Sequence, residues 1–224
     1  MEFIVHDLRN PIAVISIILD HLLLIDSRGL TERQKEDVNA CKAATKRMAT
    51  LINSILDLSR LENKKMSLEI KEVNVEKLLE SALDEVSVFA KSRQIKLEKR
   101  VETQRETFYT DYRVMVRVLV NLLSNAIKVS LEGSEVSVIV NTDTDTAVKF
   151  SVIDQGPGIP KNMTDKIFDK FVQLKNRNLG VAGEGSGLGL TFCKLAVEEL
   201  DGRIWIDSEE GKGTAVRFTL PAGK

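Results

Sequence analysis

Between Cys41 and Leu58 one apolar seam runs through Cys41, Ala44, Met48, Leu51, Ile55 and Leu58, a spacing of 3, 4, 3, 4 and 3. That is a heptad, the pattern of helices packed at about 20° in bundles. Thr31 with Gln34 three residues on is a capping box, so a helix is predicted from there to about Asn63. Upstream, residues 3–25 read as a first helix, very apolar in its second half, with Ser27-Arg28-Gly29 as the turn. A lone hairpin cannot cover both apolar faces. The expected solution is a homodimer that closes a four-helix bundle. The second helix, at ~30 residues or ~45 Å, outruns the first, at ~23 residues or ~35 Å. The unequal lengths predict upstream sequence ahead of Met1.

The apolar run Ile12–Ile25 tests for a membrane span. It holds Ser16, Asp20 and His21 and is shorter than the ~20 apolar residues a span needs. Asp7 and Arg9 sit where a signal peptide would not have them. A buried bundle helix with no membrane contact is the expectation. The 224 residues are 43% hydrophobic and 29% charged, as in a globular chain. With 32 basic against 33 acidic residues, no basic excess supports nucleic-acid binding. Cys41 and Cys193 match no metal or redox spacing. They suggest a reducing, cytoplasmic compartment in which each is simply packed.

Past residue 65 the pattern changes to alternating helices and strands. Asn74 caps a helix with apolar positions from Val75 to Phe89. Strand-like runs follow at Ile95–Val101 and Thr107–Thr110, then a helix over Tyr112–Val129. Strands at Val136–Asn141 and Ala147–Ile153 precede a glycine-rich stretch, 154–187. A helix from near Gly187 to Leu200 and strands at Arg203–Ser208 and Thr214–Leu220 complete the chain. Glu209-Glu210-Gly211-Lys212-Gly213 reads as the hairpin turn between them. The fold class is α+β: a helical hairpin over 1–65, then an α/β sandwich, a mixed sheet under a layer of helices, over 66–224.

Four segments carry chemistry. In His6-Asp7-Leu8-Arg9-Asn10-Pro11, an imidazole stands beside a carboxylate that can fix its tautomer and raise its basicity. Asn10 lies one turn along the same face, and Pro11 leaves the carbonyl of Asp7 without its helical partner. The bland alternative is a solvated histidine, the reading that His21 receives. In the second segment Asn121, Asn125 and Lys128 fall at i, i+4 and i+7 on a helix otherwise apolar. Two carboxamides and a lysine on one such stripe are costly if merely buried. The third, Asp154-Gln155-Gly156-Pro157-Gly158, follows a strand, and its glycines permit a tight turn and a close backbone approach. The fourth, Gly183-Glu184-Gly185-Ser186-Gly187-Leu188-Gly189-Leu190, opens a helix whose backbone N–H groups can cradle phosphates. It ends in no Gly-Lys-Ser/Thr, so it is not a Walker A loop.

In this order the four segments resemble the boxes of the sensor histidine kinases of two-component signalling, across essentially the whole chain. The resemblance implies a dimerisation and phosphoacceptor hairpin followed by a Bergerat-type catalytic ATP-binding domain. It implies that His6 accepts the γ-phosphate of ATP, with Asp7 as orienting base. Asn10 stands where the family orients a hydrolytic water, which implies a phosphatase activity towards the partner regulator as well. It implies that Asn125 ligates Mg²⁺, that Lys128 meets the phosphates, and that Asp154 accepts from the adenine amino group. Gly156, Gly158, Gly183, Gly185, Gly187, Leu188 and Gly189 would wrap the nucleotide, and Phe168 and Phe171 resemble the phenylalanine box, with ordinary core as their alternative. The stretch Val172–Ala182 would be the lid over ATP. Asn121 stands where related ATPases carry a glutamate base; asparagine cannot act as a base, which favours transfer over hydrolysis. Val5, Val129 and Gln173 depart from common family residues, and Lys175 or Arg177 could supply charge near the γ-phosphate. The implied partners are a second copy and the receiver domain of a response regulator, in a parent protein anchored by upstream sequence. A non-catalytic ATP-binding signalling module and a plain ATPase are the alternatives.

Overall fold

The computed structural model describes residues 2–25, 29–144, 146–173 and 186–223, with the side chains of 2–9, 24–25 and 143–144 left out. The chain divides into two compact units, Met1–Asn63 and Lys64–Lys224.

The first unit is a hairpin of α1 (Glu2–Ile25) and α2 (Glu32–Glu62). The capping box that opens α2 is formed. Thr31 Oγ1 accepts from the Gln34 N–H at 3.3 Å, and Gln34 Oε1 accepts from the Thr31 N–H at 2.8 Å. Pro11 lies inside α1; the turn at Ser27-Arg28 lies outside the described residues. Ile12 and Leu19 are buried and Ser16 and Leu23 half-buried on α1; Thr45 and Leu56 are buried and Ala49 and Ile52 half-buried on α2. These two stripes, each spaced 4, 3 and 4, are the inward faces of the hairpin. An ion pair, Lys42 Nζ to Asp20 Oδ1 at 2.6 Å, ties the helices together. The heptad stripe read from the sequence lies one position over. Its Cys41, Ala44, Met48, Leu51 and Ile55 are exposed, and only Leu58 is buried. Cys41 is therefore not packed within the single chain, in contrast to Cys193.

The second unit is a sheet with helices on one face. Its elements are β1 (Lys71–Asn74), α3 (Val75–Ser92), β2 (Lys96–Glu102), β3 (Thr107–Thr110), α4 (Tyr112–Val129), β4 (Glu135–Thr144), β5 (Ala147–Asp154), α5 (Gly189–Glu199), β6 (Arg203–Glu209) and β7 (Gly213–Pro221). The five-stranded sheet runs β2-β4-β5-β7-β6, with β2 parallel to β4 and the other pairs antiparallel. β1 and β3 form a separate antiparallel ribbon. The sequence reading missed β1 because its four residues, Lys71-Glu72-Val73-Asn74, carry one buried side chain and no alternation. Their strand state comes from pairing with β3.

Alternation fixes which face of the sheet is covered. Val136, Val138 and Val140 on β4, Val148, Phe150 and Val152 on β5, and Phe218 and Leu220 on β7 are all buried. Those of β4 and β5 meet α4, whose Met115, Val118, Leu119, Leu122, Leu123 and Ile127 are also buried. Each such side chain contributes roughly 1.5–3 kcal/mol on burial. Phe150 and Phe218 stack with ring centroids 4.8 Å apart. This core holds α4 rigidly against the sheet, so the polar stripe of α4 and the C-terminal end of β5 keep fixed positions.

Candidate nucleotide site

α4 begins at a firm cap, Asp111 Oδ1 accepting from the Val114 N–H at 3.0 Å. Its polar stripe interrupts a buried face. Asn121 is half-buried and donates through Nδ2 to the Arg117 carbonyl at 3.0 Å. Asn125 is half-buried and its side chain has no hydrogen-bond partner among the described residues. Lys128 is exposed, and its carbonyl accepts from Arg93 Nη2 at 3.5 Å.

α5 crosses this stripe. The Arg117 guanidinium lies 4.0 Å from the centroid of the Phe192 ring, a cation–π contact. Cys193 Sγ donates to the Val118 carbonyl at 3.6 Å, and burial pushes its thiol proton affinity up. These contacts set Gly189, the first residue of α5, against the carboxamides. A Cβ at Gly189 would stand 3.2 Å from Asn121 Oδ1 and 3.8 Å from Asn125 Nδ2. The second and fourth segments of the sequence reading thus meet. Leu188 is buried and occupies the N-cap position, where no side chain caps the helix. The first-turn N–H groups of α5 therefore lack the usual side-chain acceptor.

The third segment meets the C-terminal end of α4. Asp154 closes β5 at 6% exposure. Its Oδ1 accepts from the Gly156 N–H at 2.8 Å and the Thr214 N–H at 3.2 Å. Burial lifts its proton affinity to about 6, and the two N–H donors oppose the rise. Gly156 is wedged between this carboxylate and α4: a Cβ there would stand 2.9 Å from both Asp154 Oδ1 and the Val129 carbonyl. Gly158 has φ +71° and faces the Glu209 carbonyl, leaving no room for a side chain. The loop is latched to the β6–β7 turn by Gly211 N–H to the Pro157 carbonyl at 2.7 Å and Ile159 N–H to Ser208 Oγ at 2.8 Å. Ser208 Oγ and Thr214 Oγ1 lie 3.0 Å apart. A cavity of about 390 Å³ opens here, bordered by Asp154, Ser208, Gly213, Thr214 and Arg217.

Ser208 and Thr214 were missed as site residues in the sequence, where they read only as the end of one strand and the start of the next around the turn Glu209-Glu210-Gly211-Lys212-Gly213. The register that sets Thr214 opposite Asp154 reveals them.

The two phenylalanines part company. Phe168 is buried with Ile159 and Ile167 and packs against Ile204 and Ile206, so it is core. Phe171 is 64% exposed at φ +64°. Its N–H donates to the Gly187 carbonyl at 2.9 Å, and a Cβ at Gly187 would stand 2.7 Å from Phe171 Cα. Gly183, Gly185, Lys175 and Arg177 lie outside the described residues, as does most of the stretch 172–182. His6 and Asp7 lie on the backbone of α1, their side chains outside the description, and Asn10 is exposed on the same helix. Among the described residues, Asn121, Asn125, Asp154, Gly156, Leu188 and Gly189 gather along the C-terminal half of α4, with Gly158 in the loop beyond, in one unit.

Residues 110–224 match the family of histidine kinase-, DNA gyrase B- and HSP90-like ATPases, and residues 2–64 match the His Kinase A (phospho-acceptor) domain. The chain belongs to the sensor histidine kinase family. The chain is 32% identical over 225 residues to the adaptive-response sensory kinase SasA of Crocosphaera subtropica, covering 99% of the chain and 58% of that protein. It is 30% identical to the sensor histidine kinase WalK of Bacillus subtilis, covering 96% of this chain and 35% of that one. The chain spans little more than half the length of the SasA relatives it matches. Among solved structures, full-length ShkA in complex with AMPPNP superposes with a TM-score of 0.83 at 26% identity, over 99% of the present chain and 45% of that one. The catalytic domain of histidine kinase ThkA gives a TM-score of 0.59 at 28% identity over 70% of the present chain and 99% of that domain. Among the described residues, no helix is long and apolar enough to cross a membrane.

Proposed function

We propose that the chain is an ATP-dependent protein-histidine autokinase. The observation that carries the reading is the apposition of Gly189 to Asn121 and Asn125, which joins an uncapped helix N-terminus to a carboxamide stripe. Triphosphate oxygens would accept from the first-turn N–H groups of α5, and Lys128 would add positive charge. Asp154, with one oxygen held by the protein, would take the adenine amino group with the other.

Mg²⁺ fits the residues present. Among the described residues no group of three His, Cys, Asp or Glu could hold a metal ion. The half-buried Asn125 oxygen, without a protein partner, suits a hard cation that completes its shell with phosphates and water. When bound, Mg²⁺ would neutralise phosphate charge. The chain's own groups do the rest. Asp7 orients the imidazole of His6, whose ring nitrogen attacks the γ-phosphorus. An N–P bond forms, the P–O bond to the β-phosphate breaks, and ADP leaves. Catalysis is then positioning and charge neutralisation. Asn121 spends its Nδ2 on the Arg117 carbonyl and offers no base to activate water, which supports transfer over hydrolysis.

The phosphoramidate would pass its phosphoryl group to an aspartate of a response regulator receiver domain, and Asn10, exposed one turn from His6, would orient water for regulator dephosphorylation. The working form is a homodimer. Ile17 is 67% and Met48 52% exposed in the single chain. With Val14, Ile18, Leu51 and Ile55, also exposed, they form the face that a second hairpin would cover. Consumption of ATP and contact with a receiver domain fit the cytoplasm.

The test is incubation with γ-labelled Mg-ATP. Acid-labile, base-stable label on the protein that disappears in His6→Ala is expected. Steady phosphate release without labelled protein would favour an ATPase. Nucleotide binding with neither product would favour a signalling module.

A further inference from the structure

The Asp154 carboxylate divides its two oxygens between protein and ligand. Oδ1 accepts two backbone N–H groups, from Gly156 at 2.8 Å and Thr214 at 3.2 Å. Oδ2 has no hydrogen-bond partner among the described residues. This asymmetry dictates where a proton goes. Protonating Oδ1 would set an O–H against two N–H donors already aimed at it, so the acid form carries its proton on Oδ2. The one atom left for a ligand is therefore an acceptor in the carboxylate and a donor in the acid. Purines differ in the same respect at position 6, where an amino group donates and an oxo group accepts.

We propose that Asp154 Oδ2 is a switchable reader of purine position 6, and that its protonation turns the preference of the site from a 6-amino towards a 6-oxo purine nucleoside triphosphate. The inference rests on the reading that this site takes ATP.

The switch falls in an accessible range, because burial lifts the carboxyl to about 6. Charged groups on the surrounding elements include Lys128 on α4, Glu135 on β4, Lys149 on β5, Asp207 and Glu209 on β6, Glu210 and Lys212 in the turn and Arg217 on β7. None of them contributes to the shift, which comes from burial against two backbone donors. Arg217 is committed to Asp207 at 2.6 Å and Lys212 to Glu209 at 2.8 Å. Oδ2 therefore titrates without a neighbouring charge to pin it in one form.

The experiment is calorimetric titration of the full chain with Mg-ATP and with Mg-ITP between pH 5 and 7.5. The two ligands carry the same triphosphate, so its titration and that of the metal cancel in the ratio of their Kd values. The ATP preference is expected to fall with falling pH, by up to about tenfold per pH unit, across the window between the proton affinities of Asp154 in the two complexes, which ITP raises above about 6 and ATP lowers below it. Asp154→Asn keeps an acceptor for the two N–H groups and fixes a donor in place of Oδ2. It is expected to prefer ITP at every pH with a flat ratio. Circular dichroism checks its fold, and the wild-type series stands without it. A wild-type ratio flat from pH 5 to 7.5, with ATP bound, overturns the inference and leaves the ATP reading intact. So does a folded Asp154→Asn that still prefers ATP. If neither nucleotide binds at any pH, the ATP reading itself is overturned, and this inference with it.

Discussion

Gly189 and Asn121 face each other so closely that a Cβ on the glycine would stand 3.2 Å from Asn121 Oδ1. The two are 68 residues apart in sequence, and α4–α5 packing through Arg117 on Phe192 holds them together. Gly189→Ala is expected to displace the Asn121 carboxamide by a few tenths of an ångström. Because the contact is a side-chain end, the fold should survive. Nucleotide affinity should fall by about tenfold, or ~1.4 kcal/mol. Titration calorimetry with Mg-ATP, with the melting temperature measured beside it, checks the expectation. A fall in both would mean that the glycine serves packing alone.

Gly158 is a backbone requirement of another kind. Its φ of +71° and the Glu209 carbonyl beside it leave a side chain neither conformation nor space. Gly158→Ala is expected to destabilise the second unit by roughly 3 kcal/mol. Trp205, the single tryptophan, lies on β6 within that unit, so its fluorescence in urea reports the relevant transition.

The exposed apolar faces of α1 and α2 predict concentration-dependent association. Met48→Glu places a charge where a dimer would bury a thioether. The single hairpin should tolerate it, since Met48 is 52% exposed there. Sedimentation should show a dimer for the wild type and at least a tenfold weaker dimer for the variant. A wild type that is monomeric at all concentrations would refute the bundle.

Asp154 also predicts how stability depends on pH. Its proton affinity in the folded chain is raised to about 6, above the ordinary 3.8. The folded state therefore holds the proton more tightly than the unfolded state. The stabilisation linked to it is complete below 3.8 and is lost as pH rises through 6. The difference amounts to on the order of 2–3 kcal/mol. Asp154→Asn removes the titration, so the stability of the wild type relative to the variant should rise as pH falls from 8 to 4. Urea unfolding of both proteins across that range measures it. A constant gap would mean that Asp154 titrates normally.

Much of this molecule is written locally. The heptad over 41–58, the capping box at Thr31 and Gln34, the Asn74 and Asp111 caps and the i, i+4, i+7 stripe of α4 depend on residues within two turns of each other, and period and capping chemistry express them directly. β1 was not legible, because one buried side chain in four residues has no period and its strand state is conferred by β3. The hairpin seam was legible as apolar spacing but not as an assignment. Two adjacent stripes on α2 qualify, and packing against Ile12 and Leu19 chooses the one holding Thr45 and Leu56. In the same way, composition and spacing could mark Asp154 as a carboxylate beside glycines. They could not show that Thr214, 60 residues later, donates to the same oxygen as Gly156. That depends on the antiparallel register of β5 and β7. Sequence by itself determined which residues form helices and which carry polar groups on an apolar face, because those are short-range properties of the chain. Which oxygen of Asp154 remains for a ligand was decided only by tertiary structure, because hydrogen bonds between distant strands exist only after the sheet has assembled.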